Sequence, residues 1–240
     1  MSRTLEARLG LIPAICALAA GVCSSQGPSV YQEPQRLEIT LERKQGPDWK
    51  AVDPRLVLEP GDRVRFRART SFAGYLYVMN HSSSGRYSLL FPGEETGRDN
   101  RVEAGREFLM PAGTGWFRIS GPPGHEIVYW LVSPVELPGQ EGESKPDYVP
   151  LPPPPKPGRV RPGLIPRCDE TIWRARGDCV DTSAGVRALP EPATMPENLA
   201  RIRGAASRDL VFVRQQNSSV VASPARLTGP AVFQFRLAHK

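Results

Sequence analysis

The sequence predicts an all-β protein whose main body, residues 37–137, is an antiparallel β-sandwich, and three observations carry that expectation. Apolar residues alternate with charged ones in short runs, the period of a half-buried strand. Proline and glycine, 26 and 22 of 240 residues, recur between those runs. A proline inside a helix costs about 3 kcal/mol, so a helical bundle is excluded. The chain is 40% hydrophobic, enough to build a core despite its high proline content.

The N-terminus reads as an export signal over residues 1–23. Arg3 and Arg8 outweigh Glu6 ahead of an apolar stretch from Leu9 to Val22. That stretch is shorter than the roughly 20 residues of a membrane-spanning helix, and Pro13 interrupts it. Two processing routes are open. Signal peptidase can cut after Gly21, with Ala19 and Gly21 as the small residues. Alternatively the run resembles a bacterial lipobox with Cys23 as the lipidated residue, although Val22 stands where Gly, Ala or Ser is usual.

Leu37, Ile39 and Leu41 open the strand pattern, and Leu56-Val57-Leu58 leads into the turn Glu59-Pro60-Gly61-Asp62. Val64, Phe66 and Ala68 then alternate with Arg63, Arg65, Arg67 and Arg69, so one face is buried and the other wet. Residues 75–79 and 87–91 flank the polar loop 80–85 and predict a hairpin. Residues 115–119 and 127–132 flank Gly121-Pro122-Pro123-Gly124 and predict a second one. About seven short strands in this span suit two packed sheets.

Eleven prolines fall between Pro134 and Pro166, four of them consecutive at 152–155. Residues 138–166 therefore read as a semi-rigid polyproline II linker. Beyond it, residues 167–240 form an extension with the two remaining cysteines, Cys168 and Cys179. In an exported chain this even pair predicts one disulfide, worth roughly 3 kcal/mol for a loop of about a dozen residues. Zinc would need four ligands, and no histidine or second cysteine pair lies nearby in sequence. Strands are expected at 209–213, 220–222 and from 232 to the C-terminus. They form either a hairpin of their own or part of the main sheets. The second is favoured because an isolated hairpin is marginal in water.

Several pieces in a consistent order resemble the DUF4384 family, a bacterial domain of unknown function. They are Leu58-Glu59-Pro60-Gly61-Asp62-Arg63-Val64, residues 74–80, Leu89-Leu90-Phe91-Pro92, Asp99-Asn100-Arg101-Val102 and Gly121-Pro122-Pro123-Gly124-His125-Glu126. Gly93 departs from the family, which more often has Asn there. Residues 207–239 look like the C-terminal extension of some exported members. The resemblance implies an immunoglobulin-like β domain and brings no catalytic residues with it.

The row Arg63, Arg65, Arg67, Arg69 places four cations on one strand face, about 6.6–7 Å apart, where they could track an anionic surface polymer or lipid headgroups. Acidic partners on neighbouring strands are the simpler use, because residues 37–137 hold 13 basic and 13 acidic residues. The net charge of +6 comes from the tail, with 14 basic and seven acidic residues between Lys156 and Lys240. Tyr75 and Tyr77 share a face and could offer a ligand or partner platform, although packing is the commoner use of strand aromatics.

No nucleophile elbow and no His-Glu-x-x-His zinc motif occurs, so no catalytic, cofactor-binding or metal site is expected. A Ser-His-Asp arrangement through His81, His125 or His239 is the remaining hydrolase alternative. The expected role is therefore a non-catalytic interaction module of the bacterial envelope, periplasmic or outer-membrane-associated, with an envelope protein as partner. Nucleic acid is not expected, and any membrane contact would run through the N-terminal lipid anchor.

Overall fold

The computed structural model describes residues 33–93, 96, 99–137, 165–189 and 209–240. The signal over 1–23, with Cys23, and nearly all of the linker lie outside these residues. Two antiparallel sheets pack face to face, which is the sandwich the alternating pattern predicts.

The first sheet is built on β1 (Gln35–Gln45) and β3 (Arg63–Thr70), which pair from Leu37↔Thr70 to Arg43↔Val64. β2 (Asp48–Ala51) folds back on the far end of β1. β7 (Glu107–Met110) and β8 (Phe117–Arg118) share the other side of β3, β7 along Phe66–Arg69 and β8 along Arg63–Val64. β11 (Val211–Arg214) and β12 (Ser218–Ser223) complete the order β11-β12-β1-β3-β7.

The second sheet runs β10 (Gly185–Arg187), β13 (Ala231–His239), β9 (Gly124–Ser133), β4 (Gly74–His81), β5 (Tyr87–Phe91). A short β6 (Arg101–Val102) pairs with the start of β4. Gly74 must be glycine here, because a Cβ would lie 2.6 Å from the Ser133 carbonyl oxygen. The expected β4–β5 hairpin is present. The second expected hairpin is not. β8 pairs with β3 in one sheet while β9 lies between β13 and β4 in the other. Gly121-Pro122-Pro123 thus carries the chain from sheet to sheet, and local sequence reads such a corner no differently from a hairpin turn.

The terminal strands take the second of their two alternatives. β12 lies between β11 and β1, and β13 between β10 and β9, so both are interior strands. The core is where the inward rows meet: Ile39, Leu41, Val64 and Phe66 against Val128, Trp130, Phe233 and Phe235. Phe66 sits edge-on to Trp130 and to Phe235, with ring centroids 5.4 Å and 5.3 Å away. Removing such a ring costs about 3–5 kcal/mol.

One short helix, α1 (Glu170–Arg176), was not expected from the sequence. Asp169 caps it by accepting from Thr171 N and Ile172 N, and Gly177 ends it in the left-handed conformation. The Cys168–Cys179 disulfide closes around this helix, with the two Cα atoms 4.7 Å apart. Val57 N donates to Cys179 O and Leu58 N to Ala238 O, so the run before the Pro-Gly turn ties both the stapled loop and β13 to the body.

Candidate functional site

Three of the four arginines in the β3 row are paired with carboxylates. Arg65 donates to Glu42 at 2.7 Å, Arg67 pairs with the same carboxylate at 3.1 Å, and Arg69 lies 3.4 Å from Glu38. Trp49 covers the Arg65 guanidinium at 4.4 Å, and Trp116 covers that of Arg63 at 4.9 Å. β1 supplies both carboxylates because its register sets Glu42 opposite Arg65 and Glu38 opposite Arg69. The neighbouring strand thus provides the partners that the neutral charge of this region implied.

Tyr75 and Tyr77 face outward from the second sheet, but Tyr77 is buried in a cluster with Met79, Tyr129, Leu131 and Val232. Its hydroxyl accepts from Leu137 N at 3.0 Å. Tyr75 packs half-buried at the margin, with Leu137 and Leu189. The pair serves packing along this face.

The histidines are placed by their strands. His81 stacks on Tyr87 at 4.3 Å between centroids, and burial lowers its pKa. His125 Nε2 lies 3.4 Å from both Asp181 Oδ2 and Ser183 Oγ. A hydrolytic triad needs the acid on one ring nitrogen and the nucleophile on the other. Here one nitrogen faces both groups, so the ring cannot relay a proton between them. Asp181 is buried, which works to raise its pKa, yet donors from Ser183 and from Arg167 N hold it below the ordinary range.

A cleft of about 460 Å³ opens between the sheets on the side where β8 and β5 are their edges. Phe66, Leu90, Phe117 and Leu237 form its apolar wall, and Arg86 and Arg118 stand exposed at the rim. Glu126 is on the inner wall, where Oε2 accepts from Asn80 Nδ2 at 2.7 Å and Oε1 from Ser83 N at 3.0 Å. His239 Nε2 lies 3.4 Å from Oε1. Burial works to raise the Glu126 pKa, but His239, Asn80 and Ser83 together hold it below the ordinary glutamate range. The cleft did not stand out as a site in the sequence, because its residues come from four separate regions.

Residues 57–136, one third of the chain, match the family model DUF4384, a domain of unknown function. The resemblance read from the turn and strand pieces is thus confirmed over β3 to β9. No curated protein and no solved structure matches the chain. The DUF4384 segment holds the apolar wall and rim of the cleft except Leu237, which β13 contributes from outside it.

Proposed function

We propose that the chain is a non-catalytic interaction module exported to the bacterial cell envelope, periplasmic or outer-membrane-associated, and that β11 is its docking edge. The supporting observation is the exposure of Val211 and Val213, at 50% and 48%, on the terminal strand of the first sheet. Phe212 points the other way and packs edge-on against Phe233 at 6.2 Å, which fixes the strand in place. Among the described residues no strand pairs with the outer edge of β11. An open edge carrying alternate aliphatic side chains suits the addition of an extended segment with matching alternation from an envelope protein. A structural disulfide agrees with an oxidising compartment.

The alternative, contact of the arginine row with an anionic surface polymer, requires displacing Glu42 and Glu38, so the edge is preferred. A photo-crosslinker at Val213 in cells tests the edge. The expected result is one envelope protein recovered reproducibly and lost in Val211→Lys, Val213→Lys. No adduct, or an adduct unchanged in that variant, would overturn the reading. Mass spectrometry of the mature N-terminus separates cleavage after Gly21 from a diacylated Cys23.

A further inference from the structure

We infer that the cleft between the β8 and β5 edges binds an anionic amphiphile, a single alkyl chain with a carboxylate or phosphate head. This inference is independent of the docking edge. The cavity, about 460 Å³, falls in the range of about 300–1,000 Å³ that small-molecule sites occupy. Its apolar wall is Phe66 and Phe117 from the first sheet and Leu90 and Leu237 from the second.

The polarity of the ligand follows from the charges around this interior. Arg63 and Arg118 stand directly opposite each other on β3 and β8, a like-charge cross-strand pair that is unfavourable by itself. Arg63 has the Trp116 ring, but among the described residues no carboxylate lies within ion-pair distance of Arg63, Arg118 or Arg86. Along β3 the contrast is local: Arg65, Arg67 and Arg69 each pair with a glutamate, whereas Arg63, opposite Arg118 beside the cleft mouth, does not. Ser84, Ser88 and Ser120 add hydroxyl groups to the lining.

The orientation follows too. Glu126 holds a negative charge on the inner wall, with its oxygens already engaged by Asn80 and Ser83. An anionic head is therefore repelled from the interior and drawn to Arg86 and Arg118 at the rim, while the alkyl chain fills the space between the sheets. A cationic head finds no free carboxylate at the mouth among the described residues.

Calorimetric titration of the full chain with dodecanoate, below its micelle concentration, tests the inference. Dodecyltrimethylammonium and inorganic phosphate serve as probes of head and chain. Saturable binding of dodecanoate is expected, with both control probes at least about tenfold weaker, and weakening of about tenfold or more in Arg86→Glu, Arg118→Glu. Ser88→Trp, an exposed position on the lining, should obstruct entry and weaken binding while the melting temperature stays unchanged. If the charge-reversal pair fails to fold, Arg86→Gln, Arg118→Gln gives the same comparison. Three results would each overturn the inference: no dodecanoate binding, equal binding of the cationic amphiphile or of phosphate, or unchanged binding in the folded rim variants.

Discussion

Arg65 donates to Glu42 at 2.7 Å across the β1–β3 pair, and the Glu42 carboxylate is itself buried. The same carboxylate holds Arg67 at 3.1 Å. Glu42→Ala would leave Arg65 without its counter-charge and Arg67 with Glu107 alone, at 3.8 Å. The expected loss is about 1–3 kcal/mol, measured by urea denaturation, because a partly buried pair is broken rather than replaced. A loss below a few tenths would show that solvent already screens the pair.

Glu126 gives a pH dependence of definite sign. Its carboxyl is held below the ordinary range in the folded chain, so the unfolded chain binds its proton first as pH falls. The stabilisation is therefore present at neutral pH and disappears through the acid range, as pH falls through the folded value. Glu126→Gln should flatten part of that acid limb and leave a remainder from Asp53 and Asp181, whose pKa values are also lowered. Denaturation midpoints at a series of pH values check it, and an unchanged acid slope would contradict it.

The disulfide joins the stapled helix to backbone that also anchors β13. Reducing it, or making Cys168→Ser, Cys179→Ser, should cost roughly 2–4 kcal/mol. Thermal scans with and without reductant report the shift. Non-reducing peptide mapping should find the two cysteines linked.

Ending the chain before residue 209 would remove β11, β12 and β13. β1 and β9 then become open edges, and Phe233 and Phe235 leave the core. The truncated chain is expected to be insoluble or to lack a cooperative melting transition, as read by calorimetry. A soluble, cooperatively melting product would show that the DUF4384 segment and β1 suffice.

How far this was readable from sequence depended on the range of the interactions. Val64, Phe66 and Ala68 are buried and their arginine neighbours are not, as strict alternation implied. Turn chemistry likewise marked the β4–β5 hairpin, since adjacent strands pair through short connections. Gly121-Pro122-Pro123 misled because a corner between sheets uses the same residues as a hairpin. α1 escaped notice because its seven residues bury no apolar face, so it has no periodic stripe to read. The cleft was invisible for another reason. Arg86, Arg118 and Leu237 meet only through pairings between distant strands.

The interior position of β12 and β13 also constrains when the protein can fold. Gln35 accepts from Leu227 N across 192 residues, and β1 has no complete sheet until the last strands are available. Contacts of such separation carry a high loop-closure cost and slow folding. Neither sheet can be finished while β12 and β13 are still inside the ribosome. The sandwich is thereby kept open during synthesis, and closes only when β13 emerges.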